Sequence, residues 1–234
     1  MGGQRVWLFD LDNTLHDAAL VFRALNVAMT DYIVRELAVD EAQADRLRRH
    51  YWRRYGATLL GLVRHHGIEP AHFLHHTHLL PDLEARLHTH PYDLAAVRRL
   101  PGTKILLTNG PQAYARRVLA ALRLGHCFDG IVAIDQMRMF GQLRPKPDAR
   151  MFRALLARLK VPASRCVLVE DTLAHQKTAH GLGMRTVWMQ RWLAAAGPGP
   201  QAGHRLARRP PYVCDRIRAL ARLPRLRSRR PSPP

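Results

Sequence analysis

Apolar and polar positions follow two regimes along the chain. Short apolar runs at residues 6–9, 104–107, 131–134, 166–169 and 186–189 are strand-sized, and helical periodicity fills the stretches between the later ones. Strands alternating with helices predict an α/β fold with a parallel sheet. Between residues 16 and 95 the pattern is helical only. Over 21–37, 41–55 and 71–80 apolar residues recur at spacings of three and four, so this stretch reads as a helical insertion after the first strand.

The predicted organisation is therefore an α/β core over 1–15 and 96–224, interrupted by helices over 16–95. Residues 197–211, rich in Pro, Gly and Arg, read as a loop. Residues 212–214 read as a short sixth strand, with Asp215 capping a helix over 216–223. Residues 225–234 hold Arg, Ser and Pro without periodicity and read as a disordered basic tail.

Composition changes this picture little. With 234 residues and 47% hydrophobic content, the chain can bury a full core, which excludes disorder throughout. The net charge of +19 raises the question of a nucleic-acid partner. Residues 197–234 carry ten arginines against one acid, Asp215, and so hold about half of the excess. No groove-reading or base-stacking module accompanies the charge, so polynucleotide binding is not the expected role. Cys127, Cys166 and Cys214 stand far apart, without a CxxC pair. A reducing cytoplasm suits them better than a disulfide framework. No apolar run reaches the length of a membrane span or a signal-peptide core, and a soluble, unexported protein is expected.

The candidate chemistry sits where strands end. Asp10-Leu11-Asp12 follows the first strand, in the region where open α/β sheets bind ligands, and the extended spacing lets both carboxylates converge. One carboxylate can attack phosphorus while the other, if protonated, serves the leaving oxygen. Thr108-Asn109-Gly110 ends the second strand and offers a hydroxyl, an amide and backbone N–H groups to phosphate oxygens. Lys146, between Pro145 and Pro147, projects from a stiff loop and can neutralise phosphate charge. Glu170-Asp171 follows the fourth strand; beside Asp10 these acids would repel unless a hard cation such as Mg²⁺ joined them. Eight histidines fall between His65 and His90, but with no nearby cysteine and no common face they read as solvated rather than as a zinc site.

Taken in this order, acid pair, Thr-Asn, Lys-Pro and second acid pair, the sequence resembles the haloacid dehalogenase superfamily. The resemblance runs up to about Leu223. It implies a Rossmann-like three-layer core, with the insertion as a helical cap. It further implies that Asp10 forms an aspartyl-phosphate, Asp12 acts as general acid and then base, and Thr108 and Lys146 bind the phosphoryl group. Mg²⁺ would be held by Asp10, the carbonyl of Asp12 and Asp171, with Glu170 in support. His175 stands where relatives often carry Asn or Asp. A dehalogenase is disfavoured, because that chemistry does not use a second aspartate two residues on. Residues 51–68 and 185–188 are also similar to the pyrimidine 5′-nucleotidase branch. That similarity implies a small phosphomonoester as the partner, a nucleoside 5′-monophosphate above all, with Asn109, Tyr51, Tyr55 and Thr58 as substrate contacts. Phosphoglycolate, a sugar phosphate or a phosphomutase reaction remain alternatives at this point.

Overall fold

Val6, Trp7, Leu8 and Phe9 are apolar in succession, which suits a strand covered on both faces, and all four are buried in β1 (Val6–Phe9). The computed structural model describes residues 4–193 and 209–226. Most of the loop expected at 197–211, and tail residues 227–234, lie outside the described residues. Four helices follow β1: α1 (Ala19–Leu37), α2 (Glu41–Tyr55), α3 (Thr58–His66) and α4 (Pro70–His78). Then come α5 (Pro91–Arg99), β2 (Thr103–Leu107), α6 (Gln112–Ala121), β3 (Gly130–Val132) and the two-residue strands β4 (Arg138–Met139) and β5 (Gln142–Leu143). The chain continues through α7 (Ala149–Leu159), β6 (Cys166–Glu170), α8 (Leu173–Gly181), β7 (Arg185–Met189) and β8 (Asp215–Ile217).

Contacts divide the chain into two compact units, residues 1–19 with 87–234, and residues 20–86. Residues 16–19 and 87–95, expected within the helical insertion, thus belong to the first unit. Its sheet has the order β3-β2-β1-β6-β7-β8, and every pairing is parallel. Strands β2 and β3 extend to one side of β1, and the chain then returns to β6 on the other. The switch point of this Rossmann-like sheet therefore lies between β1 and β6, where the strand ends leave a crevice. One face of the sheet packs Leu8, Leu107, Leu168 and Cys166 with Met151, Phe152 and Leu155 of α7 and Ala179 of α8.

Three edges differ from expectation. The run at 131–134 pairs only as far as Val132, because its partner strand β2 ends at Leu107, opposite Val132. Ile134 instead opens a 3-10 turn. The sixth strand is Asp215–Ile217 rather than 212–214. Asp215 caps no helix, since its Oδ2 accepts from Arg185 Nη2 at 2.7 Å and Nε at 2.9 Å. Residues Leu220–Arg225 form a 3-10 helix, so Arg225 belongs to the folded unit rather than to the tail. Buried Asp93 ties this C-terminal turn to the rest: Ala221 N donates to Oδ1 at 3.1 Å, and Arg191 Nη2 lies 3.0 Å from Oδ2.

The helical unit rests on the pair α2 and α3. Asp40 caps α2 by accepting from Gln43 N at 2.7 Å, and Gly56 ends it at φ +78°, a conformation that glycine adopts without penalty. Gly61 of α3 lies flat against the Tyr51 ring, and a Cβ added there would meet ring atoms at 2.1 and 2.4 Å and the Tyr51 Cβ at 2.5 Å. Gly61→Ala is therefore expected to destabilise this unit by about 2 kcal/mol through overpacking. Urea unfolding of the variant measures it, and an unchanged midpoint would contradict this packing.

Candidate active site

Asp10 leaves β1 with its N–H donating to Val169 O at 3.0 Å, which fixes the carboxylate at the end of two adjacent strands. Asn13 then takes the left-handed conformation, φ +59°, which Asn tolerates. Its Oδ1 accepts from Ala18 N at 3.1 Å, and Leu15 N closes a turn on Leu11 O at 2.9 Å. This turn brings Thr14 back to Asp10, where its hydroxyl donates to Oδ2 at 3.1 Å.

The other Asp10 oxygen accepts from Lys146 Nζ at 2.7 Å, and the same ammonium donates to Glu170 Oε2 at 2.8 Å. Lys146, Glu170 and Asp10 are buried. Prolines alone do not hold Lys146. Asn109 Oδ1 accepts from Lys146 N at 3.0 Å, and Asn109 Nδ2 donates to Lys146 O at 2.9 Å. Asn109, expected to contact substrate, thus uses both ends of its amide to position the lysine loop. Thr108 sits at the end of β2, buried, with its hydroxyl accepting from Gly110 N at 3.0 Å.

Glu170 ends β6. Its Oε1 accepts from Thr172 N at 3.0 Å, its carbonyl accepts from Gln176 Nε2 at 2.6 Å, and His175 Nδ1 lies within ion-pair distance of Oε2 at 3.0 Å. Asp171 follows, its Oδ1 accepting from the Thr172 hydroxyl at 3.0 Å and its carbonyl from Trp188 Nε1 at 2.8 Å. Carboxylate oxygens of Asp10, Glu170 and Asp171 all lie within 4.8 Å of one another. Asp12 faces a different pair of partners: its Oδ1 accepts from the Tyr114 hydroxyl at 2.5 Å and lies 3.1 Å from His16 Nε2.

Crowding shows in the acids. Burial and then Glu170 push the Asp10 carboxyl up to about 6, against the pull of Lys146. Burial, Glu170 and Asp10 push Asp171 well above the usual range. Burial alone would also raise Glu170, but Lys146 and then His175 outweigh it and hold Glu170 well below the usual range. For Lys146 burial works against the charge, yet Asp10 and Glu170 reverse that and raise it. One lysine therefore does not balance the three acids. Two of them favour a proton, which is the electrostatic demand that a hard divalent cation with oxygen ligands meets. The donor set fits Mg²⁺.

The expected contacts in the helical unit are largely occupied within it. Tyr51 is 6% exposed, stacks on the His65 ring and bonds His66 Nε2 at 2.7 Å. Buried Thr58 donates to Arg48 O at 3.1 Å. Tyr55 is half-buried, its hydroxyl 2.6 Å from His65 Nε2. Tyr51 and Thr58 thus serve the unit's own packing, as aromatic and β-branched residues at helical spacing usually do. The sequence reading passed over Thr14, His16 and Tyr114. The first two carry a local signal, a spacing of four from Asp10 and Asp12; Tyr114 is 102 residues from Asp12 and carries none.

A family model described as haloacid dehalogenase-like hydrolase matches residues 5–183. Phosphate metabolism protein 8 of Saccharomyces cerevisiae is 25% identical over 198 residues, covering 77% of this chain; the chain spans 60% of that relative's length. Among solved structures, a HAD phosphatase from Thermococcus onnurineus is similar at TM-score 0.60 and 21% identity, over 94% of this chain and 96% of that one. A 2-haloacid dehalogenase from Pseudomonas syringae pv. tomato is similar at TM-score 0.58 and 21% identity, over 95% and 97%. One neighbour is named a phosphatase and the other a dehalogenase, so the shared fold does not choose between the two chemistries.

Proposed function

The chain belongs to the haloacid dehalogenase-like hydrolase family, and from that premise we propose that it is a phosphomonoesterase working through an aspartyl-phosphate on Asp10. The observation that carries this reading is Asp12: a second carboxylate stands two residues from Asp10, held by Tyr114 and His16. Carbon–halogen cleavage has no need of such a proton carrier, whereas an alkoxide leaving group does.

In the first step an Asp10 oxygen attacks phosphorus. The bond to the ester oxygen breaks, its electron pair departs with that oxygen, and the Asp12 carboxyl supplies the proton that makes it an alcohol. In the second, water attacks the aspartyl-phosphate and gives a proton to the Asp12 carboxylate. The phosphorus–oxygen bond to Asp10 breaks, its electron pair returns to the Asp10 carboxylate, and inorganic phosphate is freed. Thr108 and Lys146 hold phosphoryl oxygens. The residues that would hold Mg²⁺ are Asp10, Asp171 and the carbonyl of Asp12, with Glu170 in support; bound there, it supplies neutralising charge to the phosphate.

A proton and a cation compete for Asp10. Because that carboxyl is pushed up to about 6, Mg²⁺ is expected to raise the thermal midpoint more at about pH 7.5, where Asp10 is ionised, than at about pH 5, where it is protonated. Thermal unfolding with and without MgCl₂ reads this directly. Equal shifts at both pH values would argue against Asp10 as a ligand.

The preferred substrate in this reading is a nucleoside 5′-monophosphate with a pyrimidine base, on the likeness of residues 51–68 and 185–188 to pyrimidine 5′-nucleotidases. With Tyr51 packed inside, Tyr55 and the exposed Trp52 are the rings left to a base. A reducing, cytoplasmic setting belongs to this reading, on the wide spacing of Cys127, Cys166 and Cys214 without a CxxC pair. The test measures free phosphate from UMP, CMP, AMP, GMP and phosphoglycolate in the wild type and in Tyr55→Ala. UMP and CMP are expected to lead by about tenfold in kcat/KM, with the lead shrinking in the variant. If phosphoglycolate leads, the nucleotide assignment is wrong while the phosphatase reading stands. Phosphate passed on to a second hydroxyl instead of released would make the enzyme a mutase.

A further inference from the structure

Asp12 can protonate a leaving oxygen only if it is aimed. Its loop is short and turns sharply, so the main chain alone leaves the carboxylate free to rotate about its side-chain bonds. Two groups that the phosphatase chemistry does not itself require meet it. The Tyr114 ring, on the first turn of α6, is 2% exposed and lies close over Gly110, where an added Cβ would stand 3.0 Å from the ring. Its hydroxyl donates to Asp12 Oδ1 at 2.5 Å. His16 is fully buried, with Nε2 3.1 Å from the same oxygen and Nδ1 3.0 Å from Asp17 O. A carbonyl oxygen only accepts, so Nδ1 carries a proton and the ring orientation is fixed.

We propose that Tyr114 and His16 are positioning residues that clamp Oδ1 of Asp12 and thereby assign Oδ2 to the leaving-group proton. This rests on the aspartyl-phosphate reading above. Both contacts fall on one oxygen, a geometry that fixes the carboxylate's rotation and leaves its second oxygen to substrate. The simpler alternative is that Asp12 merely satisfies a buried phenol. The two differ in consequence, because a misaimed acid matters in proportion to how badly the leaving group needs a proton.

The experiment compares kcat/KM for p-nitrophenyl phosphate, whose leaving group departs unprotonated, with a primary alkyl phosphate, in the wild type, Tyr114→Phe, Asp12→Asn and the double variant. kcat/KM reports the first phosphoryl transfer, where the leaving group is protonated. Tyr114→Phe is expected to lose about tenfold on the alkyl ester and no more than about threefold on the aryl ester, and to add little in the Asp12→Asn background. Should Tyr114→Phe fail to fold, the same ratio is read from His16→Leu against His16→Gln, whose amide can take the place of Nε2 and restores the alkyl rate. Equal losses on both esters, or losses that simply multiply with Asp12→Asn, overturn the clamp and leave the residues as packing. A wild type that releases phosphate from neither ester overturns the phosphatase reading itself, an outcome distinct from either.

Discussion

Asp10→Asn is expected to lower phosphate release by about 10⁴-fold or more, the scale on which enzymes lose rate when the covalent nucleophile is removed. An amide oxygen does not attack phosphorus usefully, so no aspartyl-phosphate forms. The fold should survive, because Asn keeps the shape, the backbone bond to Val169 O at 3.0 Å and an oxygen for Thr14 or Lys146. Removing one of three crowded acids also relieves the repulsion that burial and Glu170 impose on Asp10. The variant should therefore be inactive yet at least as stable as the wild type without Mg²⁺. Steady-state phosphate release and urea unfolding read the two halves. Release at the wild-type rate would sink the nucleophile assignment.

Lys146→Met is expected to fail in the opposite manner, losing both stability and turnover. Its ammonium is the cation shared by Asp10 and Glu170 at 2.7 and 2.8 Å, with both acids buried. Removing one partner of a buried ionic cluster costs about 3 kcal/mol, because the charges left behind have no compensation. The loss should be full at about pH 8 and smaller at about pH 5. There Asp10, already pushed up to about 6 with the lysine present, is protonated and no longer needs the partner. Mg²⁺ should restore part of the stability by supplying charge to the same acids. Turnover should fall by about 10³-fold with or without that rescue, since the phosphoryl group loses its cation. Urea midpoints at the two pH values, with and without Mg²⁺, check the prediction. A pH-independent cost would mean that packing of the lysine stem, not its charge, is what the site needs.

The sheet was legible because its signal is local. Four successive apolar residues at 6–9 can be satisfied only where both faces are covered, and the acids that follow them must then lie at the strand end. Helix α2 was legible over 41–55 from apolar spacing, and the structure shows why it stops at those residues, since Asp40 and Gly56 cap it. Helix α3, which begins two residues further on, was not among the predicted helices, and its place is set by packing, with Gly61 against the Tyr51 ring of α2. The edge strand β8 was misplaced for a different reason. Its position is set by Arg185, thirty residues earlier, reaching Asp215 across the strand pair, and no window of sequence contains both.

The same division runs through the site. Asp10, Asp12, Lys146, Glu170 and Asp171 announce themselves, because each is an ionisable group beside an apolar strand or in a stiff loop, where an unpaired charge is costly and so conspicuous. What each of them touches was decided only by tertiary structure. The bracket of Asn109 on the main chain of Lys146 spans 37 residues, and the bond from Tyr114 to Asp12 spans 102. In the helical unit, aromatic spacing alone left it open whether Tyr51 faces a ligand or its own core, and the fit of its ring against Gly61 decides for the core. The sequence by itself determined which charges the protein must bring together, since burying them is possible only in company. The fold determined which oxygen each charge meets, since a hydrogen bond depends on angstroms that no spacing along the chain encodes.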